Sequence, residues 1–204
     1  MSKVKMYTRF ERFWHWCQSA IILALLVTGL QVHFTGLTLL DFATAVQLHR
    51  AFAWAFLGLA ALAIFWHITS GEWKQYLPTN QSLGAMLMFY LVGIFRTHEH
   101  PVRKTRTQKL NPLQRLVYLG FKILVFPVLA TSGLAYMYWD AIQRNFGLET
   151  VPLSLIAVVH LAAAYIMVAF LIGHLYMITT GRTVGANLKA MITGWDEEHG
   201  ATSA

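Results

Sequence analysis

Four apolar runs, each bounded by charged or turn-forming residues, divide the chain at about 13–33, 43–69, 116–139 and 153–179. Each has roughly the 20 residues that a helix needs to cross some 30 Å of hydrocarbon. The pattern predicts an all-α chain: an integral membrane four-helix bundle, one domain over residues 1–204. The first run lacks a small-residue cleavage site and reads as a retained span. A fifth apolar stretch, about 83–95, is too short to span and reads as an interfacial or re-entrant helix within the loop 70–115. Residues of about 182–193 read as a short cytoplasmic amphipathic helix, and Asp196-Glu197-Glu198-His199 as a solvated tail.

The polar residues inside these runs carry the chemistry. His160 and His174 lie fourteen residues apart in the fourth run with nothing charged between them. That separation falls about 40° short of four full turns and covers roughly 21 Å, so both rings leave one face, one near each membrane surface. In the second run His49 and His67 also share a face, but they stand roughly 27 Å apart. If His49 is level with His160, His67 lies beyond the level of His174, whereas His15 in the first run matches it. The depths therefore pair His49 with His160 and His15 with His174. Two such pairs would hold two stacked b-type haems through axial nitrogens, with His67 set beside a haem propionate or a quinone. Both irons would be six-coordinate, which favours electron transfer over bond-making at iron. His33 reads as a boundary residue. The third run has no histidine, but Pro127 and Gly133 allow a bend and the close approach of a flat macrocycle, as do Gly29, Gly58 and Gly173 elsewhere.

Composition then fixes the solvent. Hydrophobic residues make up 56% of the chain and charged ones 12%, about half the share usual in soluble domains. The formal charge of +7 follows topology rather than one basic face, which argues against a nucleic-acid partner. Lys3, Lys5, Arg9 and Arg12 precede the first span, seven cations from Lys74 to Arg115 fill the long loop, and Arg182 and Lys189 follow the fourth span. The positive-inside rule places these segments, and both termini, in the cytoplasm of a bacterial inner membrane, where they face lipid. His98-Glu99-His100-Pro101-Val102-Arg103-Lys104 reads as a solvated basic loop rather than a metal site. Propionates need cations, for which Arg50 outside and Arg9 or Arg12 inside are candidates. With Cys17 as the one cysteine, the chain cannot build an iron–sulfur cluster of its own.

Asn111 and Gln114 open the third span on one face, with Pro112 suited to the first helical turn. These amides either cap the helix or hydrogen-bond a quinone head group beside the inner haem.

Together, Arg12-Phe13-Trp14-His15-Trp16, Leu48-His49-Arg50, Asn111 through Gln114, the His160 to His174 spacing and Gly194-Trp195 resemble a known family. It comprises the four-helix di-haem cytochrome b subunits of respiratory formate dehydrogenase (gamma subunit), nickel–iron hydrogenase and thiosulfate reductase. The resemblance covers nearly the whole chain. It implies that the matching histidines are haem ligands paired as above, and that the Asn and Gln positions line a cytoplasm-side menaquinone pocket. Phe65-Trp66-His67 through Gly71-Glu72-Trp73-Lys74-Gln75-Tyr76, with the long basic loop, looks most like the thiosulfate-reductase-type branch and points away from formate as substrate.

The function expected is that of a membrane-anchoring di-haem subunit of a respiratory oxidoreductase. It would carry electrons between a quinone (menaquinone or ubiquinone) at the cytoplasmic side and a periplasmic iron–sulfur or multihaem cytochrome c subunit, such as that of a molybdenum oxidoreductase. The alternative is a stand-alone superoxide:quinone oxidoreductase of the same fold. It would need a cationic outer funnel, and the outward segments offer only Arg50 and Arg144 against Asp41, Asp140 and Glu149.

Overall fold

A computed structural model of the chain describes residues 3–79, 82–96, 102, 105, 108–146, 151–181 and 183–197. Four helices are long and apolar enough to cross a membrane: Arg9–His33, Phe42–Ser70, Pro112–Met137 and Leu153–Ile178. No more than 11% of the apolar window of any of them is buried against protein. Exposed aliphatic surface on that scale is a liability in water and is solvated by lipid tails in a bilayer. The molecule is a membrane helix bundle.

Three of the four spans start where a polar side chain takes up N–H groups that have no partner within the helix. Thr8 and Glu11 form a capping box at the first span: the Glu11 N–H donates to the Thr8 hydroxyl at 3.2 Å and the Thr8 N–H to the Glu11 carboxylate at 2.7 Å. Asp41 accepts from the Thr44 N–H at 2.9 Å, and the second span ends at Gly71, whose φ of 76° suits a residue without Cβ. Asn111 and Gln114 cap each other's N–H at 2.8 and 3.0 Å, with Pro112 at the first helical position. The bend expected at Pro127 takes the form of a π-helical segment, Phe121–Val125, just ahead of it. Proline clashes with the carbonyl four residues back, and a wider turn relieves the conflict.

The first and second spans pack together, as do the third and fourth, so the bundle is two helical hairpins. A short helix, Trp139–Phe146, joins the third span to the fourth. Both chain ends meet at one end of the bundle, where strand β1 (Lys3–Lys5) pairs antiparallel with β2 (Trp195–Glu197) and Val4 stands opposite Asp196. The Gly194 carbonyl accepts from the Met6 and Tyr7 N–H groups at 2.9 and 3.2 Å. A Cβ on Gly194 would stand 2.9 Å from the Tyr7 carbonyl oxygen, at a φ of 86°. The tail expected to be solvated is thus a strand as far as Glu197. A strand this short and charged has no alternation by which to announce itself. Glu198 and His199 lie outside the described residues.

Between the fourth span and β2, helix Ala186–Thr193 lies against the first span, whose Arg12 guanidinium donates to the Ile192 carbonyl at 2.6 Å. The long loop holds a 3-10 turn, Glu72–Tyr76, and a helix, Leu83–Leu91, that buries Met86 while Leu87, Met88 and Leu91 stay exposed. His98-Glu99-His100-Pro101 and Arg103-Lys104 lie outside the described residues. Lys109 ties the loop to the bundle. Its ammonium is buried between Glu11 at 2.6 Å and Glu72 at 3.2 Å.

Removing one partner of a buried ion pair strands the other charge. Lys109→Ala is therefore expected to lower the unfolding free energy by about 3 kcal/mol, read by denaturant titration in micelles. A loss below about 1 kcal/mol would equate the bridge with an exposed surface pair.

Candidate functional site

The fourth span sets the site. His160 faces His49 of the second span with ring centroids 6.4 Å apart, and His174 faces His15 of the first with centroids 6.1 Å apart. Each pair joins the two hairpins, one pair near the end carrying the termini and the other towards the far end. The spacing suits a shared ion. Two imidazoles ligating one metal ion from opposite sides, each at about 2 Å, place their ring centroids roughly 6 Å apart.

Hydrogen bonding fixes which ring nitrogen is left for a metal. The Thr28 hydroxyl donates to the Ala24 carbonyl at 2.7 Å, so it can only accept from His49 Nδ1–H, 3.0 Å away. On the third span the Ser132 hydroxyl likewise donates to the Val128 carbonyl and accepts from His160 Nδ1–H at 3.0 Å. In both rings Nε2 is then the bare nitrogen, and the partner that sets the tautomer also holds the ring. Tyr118 OH lies 3.1 Å from His174 Nδ1, and the Phe170 ring stacks on His174 at 6.0 Å and 11°. His15 differs, because its Nδ1 is buried without a protein partner.

Backbone shape supports the far pair. A Cβ on Gly29 would lie 3.2 Å from His49 Cε1, and one on Gly133 would lie 3.1 Å from His160 Cε1. These glycines admit the histidine rings themselves, a closer use than the macrocycle approach expected of them. Added Cβ atoms at Gly58 and Gly173 would meet no protein atom within 4 Å.

Other candidates fall in different places. His67 joins neither pair: its Nδ1–H donates to the Ala63 carbonyl at 2.6 Å, and its Nε2 lies 3.4 Å from the Tyr76 hydroxyl. Burial holds the Tyr76 phenol well above its usual range, so this group keeps the proton it offers to His67. Asn111 is buried and spends its amide on the cap and on Tyr90 OH, 3.0 Å away. Gln114 shares that cap through its oxygen, and its Nε2 takes no part in it. Arg12 engages Ile192 through one guanidinium nitrogen, while its Nε is buried without a partner; Arg50 is exposed. A cavity of about 650 Å³ lined by Lys5, Tyr7, Glu72, Lys74, Lys109 and Arg115 has no histidine on its wall.

Sequence reasoning missed the hydroxyl partners and Lys122. The signals were present as a hydroxyl residue followed by glycine in two spans, Thr28-Gly29 and Ser132-Gly133, and as a lysine within an apolar run.

Among the described residues no group of three or more His, Cys, Asp or Glu side chains could hold a metal ion. An ion bound by a facing pair must bring its remaining ligands with it, as the iron of a porphyrin does. The sequence profile of prokaryotic cytochrome b561 matches residues 6–194. The chain belongs to that family. A relative, the Escherichia coli (strain K12) protein assigned as cytochrome YdhU, is 30% identical over 198 residues, covering 95% of this chain and 74% of its own. This membrane cytochrome is therefore an electron-transfer protein of the b561 type, and the family implies b-type haem. The facing imidazoles fit that group in spacing, in tautomer and in having no further protein ligands around them.

Ser132→Ala removes the acceptor for His160 Nδ1–H. If His160 is a haem ligand, loss of such a supporting partner is expected to weaken haem retention by roughly 10-fold or more. The rate of haem loss from the purified protein measures it, and an unchanged rate would reduce Ser132 to a hydrogen bond within its own helix.

Proposed function

We propose that the cytochrome holds two b haems, one between His49 and His160 and one between His15 and His174. Through them it carries electrons across the membrane between a quinone and a redox partner. The observation that carries this reading is the presence of two facing pairs at the spacing of a shared ion, on one helix face and at different depths. Bound b haem supplies reversible one-electron chemistry. The chain supplies both axial nitrogens of each site, fixes the ring tautomers through Thr28 and Ser132, and leaves no coordination position for oxygen or substrate.

The cationic segments place the termini and the long loop in the cytoplasm, with the membrane being the bacterial inner membrane. The His15–His174 pair is then the inner one. The quinone, menaquinone or ubiquinone, approaches at that end. Of the side chains expected there, Asn111 is spent on its cap and on Tyr90, and His67 has both nitrogens placed. Gln114 Nε2 is the donor left at the membrane edge. Arg50 on the outer side and Arg12 on the inner side are candidates for propionates. Because a single cysteine leaves the chain without an iron–sulfur ligand set of its own, the terminal substrate is assigned to an outer partner. The class that fits is a periplasmic iron–sulfur or multihaem cytochrome c subunit, such as that of a molybdenum oxidoreductase. The Phe65-Trp66-His67 to Tyr76 stretch supports a place in the thiosulfate-reductase-type branch.

His174→Ala is expected to remove one of the two haems and to abolish reduction by quinol, whereas His49→Ala removes the other. Haem counted per chain by pyridine haemochrome decides the matter. Retention of both haems in either variant would break the assigned pairing.

A further inference from the structure

A lysine in the middle of an apolar span is costly and calls for an explanation. Lys122 lies in the π-helical segment of the third span, one turn beyond Tyr118, which touches His174. Its ammonium sits 3.2 Å from the centroid of the Tyr76 ring and 5.7 Å from that of Trp14. Ring faces attract a cation but accept none of its three N–H bonds in the way an oxygen would. Among the described residues Lys122 makes no hydrogen bond and no ion pair. Of the acidic groups described at this end, Asp196 and Glu197 lie in β2, and Lys109 holds Glu11 and Glu72 at 2.6 and 3.2 Å. The other titratable groups here are His67, bound to the Ala63 carbonyl and Tyr76, and Tyr118.

A second donor stands beside it. Trp14 Nε1 is buried without an acceptor among the described residues, and Trp14 immediately precedes His15. Indole nitrogen only donates, so a half-buried cation one turn from the Tyr118 that touches His174, and a buried N–H on the residue before His15, both lack an oxygen acceptor among the described residues. An acidic group of a bound ligand would give both donors a charge-assisted acceptor.

We propose that Lys122, with the Trp14 indole N–H, takes a carboxylate of the haem held between His15 and His174, and so sets the potential of that haem. The inference rests on the proposed assignment of that pair. A cation at the haem edge favours the form carrying the extra electron, so it raises the midpoint potential. The π segment and the ring faces of Tyr76 and Trp14 position the ammonium before the haem arrives.

The test is a potentiometric titration of the purified holoprotein, with haem counted per chain in every sample. In Lys122→Met, both haems are expected to be retained. The reduction step that is missing from His174→Ala should move to a more negative potential, while the other step stays in place. Lys122→Arg should titrate close to the parent protein. Trp14→Phe, which keeps an aromatic ring and loses the N–H, should move the same step in the same direction by less. Two haems with unmoved steps in Lys122→Met would overturn the inference and leave the ammonium as packing on Tyr76. If Lys122→Met does not fold, an unmoved titration in Trp14→Phe overturns the donor pair. Fewer than two haems in the parent protein would defeat the haem assignment, and this inference with it.

Discussion

A neutral imidazole in hydrocarbon must use both of its nitrogens, because an unpaired polar atom there has no water to turn to. That requirement organises the bundle. For His49 and His160, a hydroxyl on the neighbouring helix of the same hairpin takes Nδ1–H, which directs Nε2 to the opposite hairpin. Each hairpin is held together by helix packing and by a histidine–hydroxyl bond. Across the divide the hairpins meet where the rings face one another at 6.1 and 6.4 Å. A cofactor ligated by both rings of a pair, as proposed, would also join the two halves. Binding to the folded state alone stabilises that state by mass action, and here it would do so at two depths.

His49 and His160 are served by the same local device on different helices. Thr28-Gly29 and Ser132-Gly133 each place a hydroxyl under the ring and remove the Cβ that would stand 3.1 to 3.2 Å from its Cε1. Chemistry at the inner pair is less regular. His174 is held by Tyr118 and stacked on Phe170, whereas His15 Nδ1, Trp14 Nε1 and Arg12 Nε are all buried without partners. This concentration of donors on the first turns of one span, beside a lysine carried by a π segment, distinguishes the inner end chemically from the outer.

Sequence reading went furthest where periodicity carried the information. The fourteen-residue spacing of His160 and His174 fixes a shared face, and depth matching selects His15 and His49 as the side chains that the structure brings opposite them. The capping role open to Asn111 and Gln114 was legible from their spacing, and the structure takes it. What could not be read is pairing between distant segments: β1 with β2, Lys109 with Glu11, Arg12 with Ile192. These are single long-range contacts without a repeating pattern. Lys122 was legible in principle, as a cation in an apolar run, but its meaning depends on which rings surround it. That Gly194 lies at a strand junction, and not in a loose tail, follows only from its contact with Tyr7.

The central claim is that one chain holds two six-coordinate b haems between its facing histidine pairs. It is tested most directly by a dithionite-reduced minus air-oxidised visible spectrum of the detergent-purified chain, with haem quantified against polypeptide. The account predicts two low-spin b haems per chain. One haem, or a high-spin spectrum with an open iron position, would contradict it.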